Sequence, residues 1–366
     1  MALGLTYQGA FQFAQARQAY EEGFHMWQRA SGMERASAAL PAPHPLRVHL
    51  SSPVTLDPTL AADSESGILV DQLFCGLVGL TPQMGIQPDV AHSWEVSEEG
   101  RRYLFRLRDD VRWSDGATVT ADDFEFAWKR VLDPATRSRL ASLLYDIAGA
   151  RAFHRGEGRR EDVAVRAMDE LTLRVELEAP TGHFLQILAH SSTYPVPSHA
   201  VQAHGKSWSA PGKIVTNGPF KLVTWSRDTS IVLACSPEYH GRRRGNVDRV
   251  ELRLLPDGAW SARWQMYQAD DLDILSFKGS PALERDRARH RHPRDYVSGP
   301  RMSTDYTGFI TNRKPFHDAR VRRAFVLAID REHMRDAVVG ADSISATGGF
   351  VPLGMPGHSA GIGLPY

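Results

Sequence analysis

A chain of 366 residues exceeds what one hydrophobic core normally organises, so two or more lobes are expected. Its 42% hydrophobic and 23% charged residues are ordinary for a globular protein. The 43 basic and 43 acidic side chains leave no net charge, so no global field favours nucleic acid or an anionic membrane. No apolar run approaches the ~20 residues of a spanning helix, and the two cysteines, Cys75 and Cys235, form no metal or redox spacing.

Residues 1–36 read as a separate helical segment, and the Ala- and Pro-rich residues 37–45 as a linker. Leu3-Gly4, Tyr7, Ala16 and Tyr20 resemble most of a tetratricopeptide repeat. On that reading Leu3, Tyr7, Ala16, Tyr20 and Phe24 pack a helical hairpin that ends an array, because one repeat cannot bury its own apolar face. A single amphipathic helix accounts for the same residues equally well. The start has neither the basic residues nor the apolar core of a secretory signal.

Leu46 to Leu50 alternates like a strand, and Leu56-Asp57-Pro58 turns the chain. Asp63 to Gly67 is polar, and Ile68 to Leu80 is apolar enough for a buried helix running into a turn. Strands are expected between Trp94 and Arg112, where Tyr103, Phe105 and Leu107 alternate with Arg106 and Arg108. Ser114-Asp115-Gly116 reads as a turn, since Asp folds onto nearby backbone N–H groups and Gly tolerates positive φ. Thr120 and Asp123 form a capping box for a helix whose apolar face is Phe124, Ala127, Trp128 and Val131, stopped by Asp133-Pro134.

Leu171 to Leu177 is a half-buried strand, and Gly182 to Gln202 carries polar residues that include Ser191 and Ser192. Asn217-Gly218-Pro219 is a turn; Ile231 to Leu233 and Val250 to Leu254 are strands. Asp318 caps a helix with the face Val321, Phe325 and Ala328, and Asp330 caps the next.

Enzymatic and metal motifs fail their context. Gly357-His358-Ser359-Ala360-Gly361 matches a nucleophile elbow, but Pro352, Pro356 and Pro365 surround it and no Asp or His follows Ser359. His290 with His292, and His199 with His204, are pairs without the further ligands of a zinc site. Asp270, Asp271 and Asp273 lack the Gly and terminal Glu of a calcium loop. There is no phosphate loop or dinucleotide fingerprint, and Arg242-Arg243-Arg244 reads as solvated surface. No catalytic residue, cofactor or metal is assigned.

Four ordered motifs carry a resemblance over roughly Leu46 to Gly357. They are Leu56-Asp57-Pro58 with Leu73-Phe74 and Gly76-Leu77; Trp113-Ser114-Asp115-Gly116 with Thr120, Asp123, Phe124 and Trp128; Thr216-Asn217-Gly218-Pro219-Phe220 with Tyr239; and Tyr306-Thr307-Gly308-Phe309 with Asp318, Arg320 and Ala328-Ile329-Asp330. Together they resemble the large solute-binding proteins of ABC transporters, the family of oligopeptide- and dipeptide-binding proteins.

The resemblance implies a mixed α/β, periplasmic-binding-protein-like fold of the large peptide-binding class (type II). Its two lobes would close by a hinge around a peptide or similar small polar solute. It implies a first lobe of residues 46–75 and 186–298, a small extra lobe of 76–185, and the start of the second lobe in 299–366. The ligand contacts it implies are Asp63, Ser64, Glu65, Ser66, Ser191, Ser192, Tyr306 and Thr307. Trp113, Thr120 and Asp123 would instead build the framework. An ABC permease would be the partner, outside the cytoplasm.

The family normally continues well past Gly357, and the acidic group that often captures a peptide's amino end would lie in that later part. Two other readings therefore stand beside transport: a cytosolic sensor joined to a helical repeat array, and a truncated remnant.

Overall fold

The computed structural model describes residues 45–81, 85–241, 246–298, 303–304, 306–335, 344–345, 349–352 and 358–359, with the single positions Gln15, Gln18 and Glu22. Leu3, Tyr7, Ala16, Tyr20 and Phe24, the linker up to His44, and Arg242 to Arg244 lie outside them. The chain divides into two compact units, residues 1–275 and 276–366.

The first unit opens with β1 (Leu46–Leu50) and, beyond the Leu56-Asp57-Pro58 turn, α1 (Ser64–Leu73). The helix starts four residues before the expected Ile68 because the Asp63 carboxylate accepts the Ser66 N–H at 2.8 Å and caps it. It stops at Leu73, and the residues expected to extend it form instead β2 (Val78–Leu80), paired antiparallel with β3 (Ile86–Pro88).

β4 (Ala91–Ser97), β5 (Arg102–Leu107), β6 (Val165–Asp169) and β7 (Thr172–Glu176) form an antiparallel sheet of order β4-β5-β7-β6. Tyr103, Phe105 and Leu107 of β5 are buried, as their period of two requires. Between β5 and β6, α2 (Ala121–Leu132) packs on β6 and β7 through Phe124, Ala127, Trp128 and Val131, all buried. Short helices α3 (Ala150–His154), α4 (Phe184–Leu188) and α5 (Ser198–His204) carry the chain back.

A second four-stranded sheet has the order β1-β10-β9-β8, with β8 (Phe220–Ser226), β9 (Ser230–Cys235) and β10 (Arg249–Leu254) as an antiparallel meander. β1 joins it parallel to β10, Val48 opposite Leu252. After α6 (Trp260–Gln268), Ile274 bridges Val48 in parallel. Arg47 there ties the strand to the residues after α6 by an ion pair to Asp273 at 2.7 Å.

In the second unit lie α7 (Ala282–Arg291), α8 (Ala319–Ala328) and α9 (Arg331–Met334). Asp318 accepts the Arg320 N–H and Asp330 the His333 N–H, so both expected caps form. No α8 residue is buried, although Phe325 joins Phe309 and Phe316 in an edge-packed ring cluster. Of the elbow-like segment only His358 and Ser359 are described; the His358 ring lies 2.8 Å from the Val351 carbonyl.

Candidate functional site

The Trp-Ser-Asp-Gly stretch is a brace. The indole N–H of Trp113 donates to Asp123 at 3.0 Å, and the same carboxylate accepts the Thr120 N–H at 3.1 Å and the Ser198 N–H at 3.2 Å. Ser114 exchanges backbone and hydroxyl hydrogen bonds with Thr216, and Asp115 caps the turn at Ala117 while contacting His199 at 2.7 Å. Gly116 sits at φ 90°, the left-handed region that favours glycine. Trp113, Thr120 and Asp123 thus bear on the framework.

The third motif clamps the end of α1. The Asn217 side chain accepts the Cys75 N–H at 3.0 Å and donates to the Cys75 carbonyl at 3.1 Å, reproducing a strand-like pair within the core. Gly218 lies so close that a Cβ there would meet the Leu73 carbonyl carbon at 2.5 Å, so no larger residue fits without backbone movement. A part-buried ion pair, Arg130 with Asp57 at 2.6 Å, holds the Leu56-Asp57-Pro58 turn against α2, and the Trp208 indole donates to the same carboxylate.

These braces place the expected contact residues as follows. Asp63 is the half-buried cap of α1, Ser64 is exposed in the first turn and Glu65 is half-buried beside it. Ser66 is fully buried, and its hydroxyl accepts the Val54 and Thr55 N–H groups at 3.0 and 3.1 Å. Ser191 and Ser192 lie buried in a single 3-10 turn whose position is set by the Trp128 indole donating to the Thr193 carbonyl at 2.7 Å. Tyr306 and Thr307 are exposed in irregular chain of the second unit, where Tyr306 meets Phe350 edge-on.

The turn at Ser191 packs against α1, and the contact runs through the C-terminal part of the helix: the Tyr194 hydroxyl donates to Asp71. Packing around that pair raises Asp71 above the ordinary carboxylate value, although the residue keeps surface exposure, and pushes the Tyr194 phenol up. Asp63 to Ser66 occupy the other end of the helix, about 10 Å away along its axis.

Sequence reasoning named Tyr194 only among the polar residues of the Gly182–Gln202 segment, and passed over Asp71 and a cluster just beyond α1. There Cys75, Asp89 and His240 each bring one ligand-type atom within 4.8 Å of the others. His240 Nε2 lies 2.9 Å from Asp89 Oδ1, and Tyr239 and Asp89 both hydrogen-bond the Cys75 thiol. Burial pushes that thiol well above its usual range. No local spacing announces the cluster, since Asp89 and His240 are 151 residues apart.

Two histidines give the first unit a pH response. His190 Nδ1 accepts the Ser192 N–H at 3.1 Å, and the packing of its ring holds its pKa below 6.5. His92 is held below 6.5 by burial first and then by Arg108 and Arg106. Each takes up its proton more readily in the unfolded chain. Their contribution is complete above pH 6.5 and is lost as pH falls through 6.5 toward the lower folded values. The urea midpoint should therefore drop between about pH 7 and about pH 5. H92N with H190N, where the amide oxygen still accepts the Ser192 N–H, should flatten that drop; an unchanged slope would contradict the assignment.

Comparison with known proteins places this architecture. Residues 85–365 match the family model of bacterial extracellular solute-binding proteins, family 5. The chain is 34% identical over 314 residues to the probable deoxycholate-binding periplasmic protein YgiS of Escherichia coli, covering 85% of this chain and 57% of that protein. To the periplasmic oligopeptide-binding protein OppA of the same organism it is 34% identical over 297 residues, 80% of this chain and 54% of the relative. The structure of the E. coli murein tripeptide binding protein MppA superposes with a TM-score of 0.81 at 29% identity, over 88% of this chain and 62% of that one. Haemophilus influenzae OppA, in complex with the peptide RPPGFSPFR, gives 0.80 at 26% identity, over 86% of this chain and 61% of that one. The chain thus spans a little over half the length of these curated relatives. The mixed α/β fold is that of periplasmic peptide-binding proteins, and the chain belongs to family 5 of the bacterial extracellular solute-binding proteins, a family of binders rather than enzymes.

Proposed function

We propose that this chain binds a peptide or similar small polar solute and delivers it to an ABC permease outside the cytoplasm. The observation that carries the reading is the likeness, over more than four-fifths of the chain, to structures of peptide-binding proteins, one of them with a nonapeptide bound. The relatives' periplasmic names support the location. Among the described residues no helix is long and apolar enough to cross a membrane.

In this reading 46–75 and 186–298 form the first lobe, 76–185 the small extra lobe, and 299–366 belong to the second. The pairing supports it, because β1, β8, β9 and β10 make one sheet and β2 to β7 the ribbon and the other sheet. Residues 276–298 are the exception, since they fall in the compact second unit. Asp63, Ser64, Glu65, Ser191, Ser192, Tyr306 and Thr307 contact the solute, while Ser66 serves the site by holding Val54 and Thr55. Main-chain hydrogen bonds to an extended peptide would give affinity that is independent of side chain.

Calorimetric titration of the whole chain with mixed peptides of two to nine residues tests this. Heat and a raised melting midpoint are expected, and Tyr306→Ala should weaken binding about ten-fold, roughly 1.4 kcal/mol, by removing an exposed aromatic face. Neither heat nor thermal shift with any peptide would sink the proposal.

A further inference from the structure

Beyond solute binding, we propose that Cys75, Asp89 and His240 form a binding site for zinc or a similar borderline divalent transition metal.

The three residues come from separate segments that the fold fixes independently. Cys75 follows α1, its N–H and carbonyl both held by the Asn217 side chain. Asp89 sits in the turn between β3 and β4, with its N–H on the Leu77 carbonyl. His240 follows β9 in a turn in which the Tyr239 N–H bonds the Ser236 carbonyl. One ligand atom from each lies within 4.8 Å of the other two, and Asp89 and His240 are already 2.9 Å apart. A tetrahedral zinc ion with bonds of about 2.0–2.3 Å needs ligand atoms roughly 3.3–3.8 Å apart. The metal would therefore need only sub-ångström to ångström side-chain shifts.

The burial makes the case for a ligand. The His240 side chain is 97% buried, since only 3% of it is accessible, and its Nδ1 has no hydrogen-bond partner. Nε2, the nitrogen that faces Asp89, is the ring atom placed to hold a metal. Sulfur, imidazole and carboxylate are the donor types of zinc. A thiolate and a carboxylate neutralise its two charges, so the complex adds no net charge to the interior. An ordinary thiol is protonated at neutral pH and only the thiolate holds zinc, so metal binding must release a proton.

The nearby charges are compatible. Arg108, which feels the Asp89 charge, is held by Asp110 at 2.7 and 2.8 Å. Asp71 adds a further negative charge near Cys75. Three protein ligands leave a fourth position for water. Asp89 keeps 23% of its side chain accessible, so the site is not sealed from solvent. Filled, the site would fasten the end of α1, the β3–β4 turn and the turn after β9 to one another.

The test uses the whole chain, stripped with a chelator and titrated with zinc alone or cobalt alone. One equivalent should bind with proton release, and the melting midpoint should rise with free zinc. Cobalt should give the near-ultraviolet thiolate-to-metal band of a Cys-ligated site. Cys75→Ser should abolish the band and His240→Ala should lower zinc affinity roughly 100-fold. Cys235→Ser leaves the three ligands intact and should keep both signals. Should the Cys75 variant not fold, the wild type and Cys235→Ser decide by themselves, because Cys235 is then the sole competing thiol. No cobalt band and no zinc heat in the wild type overturns the site, as does a band that survives Cys75→Ser or disappears in Cys235→Ser. Peptide titration is read separately, so failure of solute binding leaves this result standing.

Discussion

Asp57→Ala should cost the first unit about 3–5 kcal/mol, read as a lower urea midpoint at unchanged slope. The Asp57 carboxylate is 5% accessible and receives both terminal nitrogens of Arg130, at 2.9 and 2.6 Å, plus the Trp208 indole at 3.0 Å. It also accepts the Thr59 N–H, while Thr59 Oγ1 receives the same guanidinium and the Thr59 carbonyl receives the Ser138 hydroxyl. Removing the carboxylate leaves a largely buried guanidinium without its counter-charge and an indole N–H without an acceptor. Desolvation dominates this cost, so the double variant D57A/R130M, which also removes the stranded charge, should recover part of it. A loss below about 1 kcal/mol for D57A would show that water reaches Arg130 and replaces the pair.

Asp123→Ala should be the second large effect, at least about 3 kcal/mol by the same measurement. Its carboxylate ends three donors: the buried Trp113 indole, the Thr120 N–H of the helix cap and the Ser198 N–H at the start of α5. Each buried donor left unmet costs roughly 1–3 kcal/mol. Trp113→Phe removes one donor and part of the packed indole but leaves the Thr120 and Ser198 bonds to the carboxylate intact, so it should cost less, about 1–2 kcal/mol. If the two substitutions proved equally harmful, ring packing rather than the carboxylate would be the main contribution of this motif.

Several elements were legible because their causes are local. The alternation of Tyr103, Phe105 and Leu107 buries one face of β5, and the Thr120–Asp123 box starts α2 where it should. The four-residue error at α1 is also local in origin: Asp63 to Gly67 read as a polar contact segment, but Asp63 caps the helix and Ser66 points its hydroxyl at Val54 and Thr55. Polarity alone does not distinguish a residue facing a ligand from one satisfying backbone N–H groups. The expected face of α8 carries the right period, yet Phe325 stays 49% exposed, because periodicity says which residues share a face and not what covers it.

By itself the sequence determined strand period, helix caps, turns and the four ordered motifs, all set by steric and hydrogen-bonding preferences within a few residues. Only the tertiary structure decided which polar groups meet in the interior. Asp57 finds Arg130 across 73 positions and Trp208 across 151, and Asn217 finds Cys75 across 142. Asp89 finds His240 across 151. Such pairings follow from how β1 closes against β10 and how the turns are clamped, and burial then makes each one energetically large.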